Sequence, residues 1–249
     1  MLKTLWNTLL ELVYPSNIYC ICCGKPIDNH LPYALCGSCV RILEWANKET
    51  CEKCGKPLEI KGIDGLCNDC GQQRRSFEKG FTCVRYGRTE RELIHKFKYK
   101  NKAYFAGKLG ELMYERIVIE NLQEDLVVPV PMYKEKESRR GYNQAALLAK
   151  AVATRLSVPF EPNLLIRNKD TAPMSDLGAE ERRENIKGVF EVTAGKEKSI
   201  LGKKILLVDD VFTTGSTTGS CSDILKEAGA SKVYVLTFAA GADLSLTTQ

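Results

Sequence analysis

The order of apolar and polar positions changes texture twice along the chain. Leu2, Leu5, Trp6, Leu9, Leu12 and Val13 recur at helical spacing, and Pro15 ends the run. That predicts an amphipathic helix over residues 1–16. Residues 17–75 carry few aliphatic side chains and no sustained period. The polar stretch Gly71-Gln72-Gln73-Arg74-Arg75-Ser76 marks a boundary near residue 75. Beyond it, strand-like and helix-like patterns alternate. Residues 81–86, 126–128, 204–208 and 232–238 read as strands; 90–97, 104–121, 143–156 and 216–228 read as helices. Short β-branched runs between helices predict an α/β domain over 76–249, with a mostly parallel sheet covered by flanking helices. Such sheets bind ligands beyond the C-terminal ends of their strands.

The middle segment holds an internal repeat. Cys20-x2-Cys23 is followed, twelve residues on, by Cys36-x2-Cys39. Cys51-x2-Cys54 is followed at the same interval by Cys67-x2-Cys70, 31 positions later. Cys23-Gly24-Lys25-Pro26 matches Cys54-Gly55-Lys56-Pro57, which the spacing alone would not require. Two thiolates separated by two residues can face one ion, and the following glycine lets the knuckle bend. Four thiolates leave no open position, so each such site is structural. A segment this poor in apolar side chains needs the metal to fold. Two zinc ribbons over 17–75 are expected, each with one structural Zn2+. The alternatives are one zinc shared by half the cysteines, or redox pairs. Cys22 competes with Cys23, but the repeat register favours Cys23. Cys83 and Cys221 read as buried thiols, and neither His30 nor His95 is needed as a ligand.

Composition narrows the class. With 249 residues, 44% hydrophobic and 27% charged, the chain is globular and neither collagenous nor disordered. A net charge of +5 permits an anionic partner without demanding one. No apolar run approaches the roughly 18–20 residues of a membrane span. Glu11 and the lack of a small-residue cleavage site argue against a signal peptide, so the expected compartment is the cytoplasm. Paired cysteines there favour metal over disulfides.

The most informative stretch runs Ile205-Leu206-Leu207-Val208-Asp209-Asp210-Val211-Phe212-Thr213-Thr214-Gly215-Ser216-Thr217-Thr218. An aliphatic strand is followed by two carboxylates, then by hydroxyls and one glycine opening a helix. Backbone N–H groups, hydroxyls and a helix N-terminus converge there, as a phosphate requires. Adjacent carboxylates repel unless something takes up their charge; a sugar diol with a divalent cation does so. No Gly-Lys-Ser/Thr follows the glycine, and no three-glycine dinucleotide pattern is present.

This stretch resembles the phosphoribosyl pyrophosphate (PRPP) loop of type I phosphoribosyltransferases. The resemblance implies that Asp209 and Asp210 hold the ribose hydroxyls. Thr213, Thr214, Gly215, Ser216 and Thr217 then hold the 5′-phosphate, and Mg2+ arrives with PRPP. Pro129-Val130-Pro131, with Lys136 and Arg140-Gly141-Tyr142-Asn143-Gln144, looks like the segment that meets pyrophosphate. A solvated charged loop is the alternative, since Glu135 and Glu137 interrupt the basic run. Together with Lys96-Phe97-Lys98-Tyr99 and with Asp170-Thr171, Leu177, Arg182, Asn185 and Phe190, the chain is similar to the ComF family over nearly its whole length. That family joins a cysteine ribbon to a phosphoribosyltransferase-like domain. The resemblance implies a part in natural competence, with single-stranded DNA and a ComFA-like competence ATPase as partners, in the cytoplasm or at the inner face of the membrane.

Two departures bear on chemistry. Met174 stands where many relatives carry Gln. Thr213 stands where hypoxanthine-type enzymes place an Asp general base, and a Thr hydroxyl cannot take a proton near neutral pH. No catalytic residue is therefore assigned. PRPP binding is expected ahead of turnover, and an active transferase acting on a nucleobase or other small acceptor is the alternative. Basic and aromatic residues interleave in Arg85-Tyr86-Gly87-Arg88 and Lys96-Phe97-Lys98-Tyr99-Lys100-Asn101-Lys102, as a single-strand surface would have them. A core face with solvated lysines fits the same spacing.

Overall fold

The computed structural model describes residues 17–59, 63–99, 102–170 and 188–242. The helix expected over 1–16 lies outside them. The chain packs as two compact units that divide after Leu43. That division falls inside the segment 17–75 read as one ribbon module.

In the first unit, Tyr19 and Pro26 form an antiparallel bridge around the first knuckle, and Gly24 takes φ +78°. Cys36 opens a short helix, α1 (Gly37–Ile42). The second unit begins with the same device 31 residues on. Thr50 bridges Pro57, Gly55 takes φ +72°, and Cys67 opens α2 (Asn68–Gln72). Even the left-handed residues of the connecting turns correspond: Tyr33 at φ +58° and Asp64 at φ +62°. One difference is chemical. Lys56 is buried and pairs with Asp69 Oδ2 at 2.6 Å, joining the two knuckles of the second ribbon. The first ribbon has Lys25 and Ser38 at those positions and so has no counterpart to the pair.

After the second ribbon come β1 (Lys79–Arg85), α3 (Arg88–Tyr99), α4 (Phe105–Val118), β2 (Leu126–Pro129), α5 (Lys134–Arg140) and α6 (Gln144–Leu156). Then follow β3 (Leu165–Arg167), β4 (Phe190–Val192), β5 (Lys204–Phe212), α7 (Ser216–Glu227) and β6 (Lys232–Ala240). The main sheet has the order β1-β6-β5-β2, and its three pairings are all parallel. Ile205 to Val208 are buried in succession without alternation, as a strand covered on both faces must be. The helices α4 and α6 pack on one another, α4 over β1 and β6 and α6 over β2 and β5. The helix α7 packs on β5, β6 and β4. β3 and β4 form a separate antiparallel pair.

Two connections leave the sheet centre in opposite directions. From β2 the chain passes through α6 and returns outside β2, where Phe160 bridges Val127. From β5 it passes through α7 to β6 on the other side. The switch point therefore lies between β2 and β5, where a crevice opens at their C-terminal ends.

The second ribbon belongs to the sheet's own core. Cys51, Cys54, Cys67 and Cys70 share one buried cluster with Phe77, Val128, Ile205, Leu207, Phe212, Val233 and Val235. Contact there is backbone to backbone. A Cβ on Gly55 would meet the Gly80 carbonyl oxygen at 2.4 Å, and one on Gly80 would meet that of Cys54 at 2.5 Å. Only paired glycines permit that approach.

Two sequence expectations need adjustment. The strand at 204–208 runs on to Phe212, because β6 keeps pairing it: Thr237 with Asp209, Ala239 with Val211 and Ala240 with Phe212. The two acids are therefore the sixth and seventh of the nine residues of a strand, not residues beyond its end. The basic segment around Lys136 is helical (α5), capped by Gly141 at φ +88°.

Candidate functional site

At the switch point a cavity of about 400 Å3 is lined by Asp209, Asp210, Thr213, Thr217, Lys98, Arg140, Arg167, Tyr86, Asn143 and Gln144, among others. The end of β5, the start of α7, the segment after β2, the junction of α5 and α6, the last turn of α3, the end of β3 and the residue after β1 converge there.

The carboxylates are the electrostatic centre. The Asp210 backbone N–H donates to Asp209 Oδ1 at 2.8 Å, which fixes that side chain beside its own backbone. Burial and the Asp210 charge together raise the Asp209 pKa well above the ordinary carboxylate range. Lys98, reaching in from α3, forms an ion pair with Asp210 Oδ2. No hydrogen-bond donor is aligned on that buried oxygen among the described residues. Burial works against the Lys98 charge, but Asp210 and Asp209 outweigh it and hold its pKa above the usual lysine value. Lys98 thus supplies the cation that two adjacent carboxylates demand.

The loop after β5 is shaped by packing. Gly215 takes φ +74°, and a Cβ there would meet Phe212 Cζ at 2.4 Å. Thr214 Oγ1 and Ser216 Oγ share a hydrogen bond of 2.8 Å, and Thr218 Oγ1 donates to the Gly215 carbonyl at 3.2 Å. α7 begins at Ser216 with no side-chain cap. Its first N–H groups are thus left to an anion or to water.

Not every expected site residue faces the same space. Asp209, Asp210, Thr213, Thr217 and Arg140 line this cavity, whereas Thr214, Gly215 and Ser216 shape the loop behind it. Lys136 lies elsewhere: it pairs with Asp170 Oδ1 at 2.5 Å and lines an adjoining cavity of about 450 Å3. Arg140 joins the two spaces. Its Nη1 donates to Gln144 Oε1 at 2.6 Å, its Nη2 donates to the Tyr99 hydroxyl at 3.2 Å, and its guanidinium lies over the Tyr99 ring at 4.9 Å. Gln144 Nε2 is buried with no partner among the described residues.

Sequence reasoning misses Lys98, Arg167 and Tyr86 as site residues. The sequence pattern puts Lys98 on a nucleic-acid patch; its position within α3 carries it to Asp210 instead. Phe97, read as a stacking aromatic, is fully buried. Tyr99 is 63% exposed. Lys100 and Asn101 lie outside the described residues, as do Thr171, Met174, Leu177, Arg182 and Asn185. Arg85 is held by Glu44 and Glu59.

The cysteines form two groups as the repeat register predicts. The sulfurs of Cys20, Cys23, Cys36 and Cys39 lie within 4.8 Å of one another, as do those of Cys51, Cys54, Cys67 and Cys70. Tetrahedral Zn–S bonds of about 2.3 Å place sulfurs about 3.8 Å apart. Cys23 and Cys36 are 3.8 Å apart, and Cys54 and Cys67 are 3.6 Å apart. The N–H of the residue that caps each short helix points at a ligand: Cys36 N to Cys20 Sγ at 3.4 Å, Cys67 N to Cys51 Sγ at 3.3 Å. Burial opposes ionisation of Cys20, but the backbone N–H groups of Cys23, Cys36 and Cys22 lower its pKa to about 7. In the buried second group the thiols split, Cys51 lowered and Cys54 raised by their mutual hydrogen bonds. Both groups fit Zn2+, and the shared-zinc alternative falls. Cys83 and Cys221 are buried and belong to neither group of ligands, with burial pushing the Cys83 thiol up to about 12.

Comparison with known proteins agrees with this geometry. The double zinc ribbon domain family matches residues 9–71, and the phosphoribosyl transferase domain family matches residues 142–245. Competence protein F of Haemophilus influenzae is 31% identical over 206 residues, covering 81% of this chain and 88% of that protein. The chain belongs to the ComF family. Two further relatives place it within ComF more broadly. DNA utilization protein YhgH of Escherichia coli K12 is 28% identical and covers 87% of this chain and 94% of that protein. Competence protein ComFC of Bacillus subtilis is 25% identical and covers 78% and 79%. In this ComF chain the phosphoribosyltransferase fold and the paired four-cysteine sites therefore occur together.

Proposed function

We propose that the chain binds Mg-PRPP in the switch-point cavity and acts in natural competence, handling incoming single-stranded DNA in the cytoplasm beside a ComFA-like ATPase. One observation carries the first part: two acids, two threonines flanking the glycine turn and an arginine face one cavity at the C-terminal end of β5. Asp209 and Asp210 would accept from the ribose hydroxyls, Thr213 and Thr217 would donate to the 5′-phosphate, and Arg140 would grip the pyrophosphate in two-pronged fashion. Lys136 stands one helical turn from Arg140 and would add charge at the rim. Mg2+, when bound, would neutralise the pyrophosphate that leaves the sugar. Every protein step left to this chain is binding and orientation, because Thr213 offers no base.

The names of the H. influenzae and B. subtilis relatives support the second part. No helix among the described residues is long and apolar enough to cross a membrane. The surface most suited to a single strand is the adjoining cavity, where Tyr99 presents a ring backed by Arg140, with Lys136 and Arg139 beside it. An aromatic face flanked by cations is what a base and its phosphate require.

Calorimetry tests the ligand. Mg-PRPP is expected to bind one per chain and more tightly than ribose 5-phosphate; no heat at millimolar PRPP removes the reading. Oligothymidine binding tests the partner. Tyr99→Ala is expected to weaken it by about 1–3 kcal/mol, and Arg139→Glu to lower the salt slope by about 0.7 or more. Unchanged affinity in both variants rejects this surface.

A further inference from the structure

The connector between the second ribbon and β1, residues 73–78, looks in sequence like a polar linker. In the structure it is a brace. Arg75 Nη2 donates to the Thr214 carbonyl at 2.8 Å, across 139 residues of chain. Ser76 bonds Asp223 on α7. Phe77 is fully buried and meets Phe212 edge-on at 6.5 Å between centroids. Phe212 is the same ring that lies under Gly215. One short segment therefore holds the loop by its backbone, the floor beneath it and the helix behind it.

The connector is itself held by the ribbon. Lys53 Nζ donates to the Glu78 carbonyl at 3.0 Å and lies 5.7 Å over the Phe77 ring. The Gly80 N–H donates to the Lys53 carbonyl at 2.8 Å, and Gly55 packs on Gly80. Arg75 thus stands between two fixed bodies.

The Thr214 carbonyl is a consequential atom to hold. A trans peptide sets the 214 C=O and the 215 N–H on opposite sides of the backbone. Fixing the oxygen toward Arg75 turns the Gly215 N–H away from Arg75, at the point where Gly215 leaves the usual backbone region. Peptide orientation within such a loop decides whether its N–H groups converge on an anion. Arg75 Nε is buried with no partner among the described residues, so Arg75 is held at this site despite a desolvation cost.

We infer that Arg75 is a positioning residue for the phosphate loop: supplied by the ribbon's connector, it presets the 214–215 peptide for a sugar 5′-phosphate without touching the ligand. The inference rests on the PRPP reading for the ligand's identity only.

Hydrogen exchange on the ligand-free full chain tests the positioning itself. Arg75→Ala is expected to speed exchange of the Gly219 amide, which bonds the loop's Gly215 carbonyl, and of the next amides in the first turn of α7 by about tenfold, while β5 and β6 amides and the zinc content stay as in the wild type. Arg75→Lys, which keeps one donor, is expected to restore part of the protection. Unchanged loop exchange overturns the inference, and so does acceleration spread evenly over the sheet. In calorimetry Arg75→Ala is expected to weaken Mg-PRPP about tenfold; equal affinity in the two proteins also overturns it. A wild type that binds no PRPP would instead remove the reading of the ligand, with the exchange result still deciding the role of Arg75.

Discussion

Cys67→Ser is expected to unfold the sheet along with the ribbon. Cys51, Cys54 and Cys67 are each 1% exposed and lie in one cluster with Phe77, Phe212 and the inner residues of β2, β5 and β6. Structural zinc binding is worth about 10–16 kcal/mol in zinc-finger peptides at neutral pH, and a domain's whole stability is about 5–15 kcal/mol. Losing one of four thiolates removes a share on the order of several kcal/mol. It also leaves three crowded thiols without the cation that lets them ionise together. For a chain of this size each kcal/mol shifts the melting temperature by about 2–4 °C. A drop of about 10 °C or more is expected by circular dichroism, with one zinc lost in metal analysis. If one zinc is lost and the sheet's transition stays where it was, the second ribbon is an appendage and its shared core contributes nothing.

How much of this was readable in the sequence depends on the range of the forces involved. Local signals were legible. The repeat at 31 residues gave both four-cysteine groups and chose Cys23 over Cys22, because ligand spacing is a property of a few adjacent residues. The aliphatic run before Asp209 gave β5, and the hydroxyl-glycine run gave the start of α7. Signals that depend on a distant partner were not legible. The end of β5 is set by β6, so Asp209 and Asp210 could not be placed on the strand before the register with Thr237 and Ala239 was known. Lys98 and Arg75 are ordinary basic residues locally; they acquire roles only because folding brings Asp210 and Thr214 to them from more than a hundred positions away. The ribbon's place in the sheet's core hangs on Gly55 and Gly80; the repeat explains Gly55 only as a knuckle glycine, and Gly80 belongs to no motif.

The acid pair shows how such a site trades stability for binding. Asp209 stands beside Asp210 with one lysine between the pair and full charge repulsion. Its raised pKa has a definite sign. The folded protein holds a proton that the unfolded chain has released. Stability of the ligand-free protein therefore falls as pH rises from the ordinary carboxylate value toward the folded value. Asp209→Asn removes that repulsion and is expected to stabilise the ligand-free protein above this window by about 1–2 kcal/mol. The same change is expected to abolish much of the ligand affinity. Two charge-assisted hydrogen bonds to a ribose diol are worth roughly 3–6 kcal/mol, a hundredfold or more in Kd. Asp209→Ala with Asp210→Ala should leave no measurable Mg-PRPP binding. The proton supplies an independent reading. Within the window, the ribose hydroxyls bind the Asp209 anion better than its neutral acid, so binding is expected to release the proton and affinity to rise with pH. Calorimetry in two buffers of different ionisation heat measures that release directly, expected close to one proton per site at low pH and near none at high pH. A wild type whose binding heat is independent of buffer throughout, or an Asp209→Asn protein that binds as tightly as the wild type, would mean that the ribose is held elsewhere.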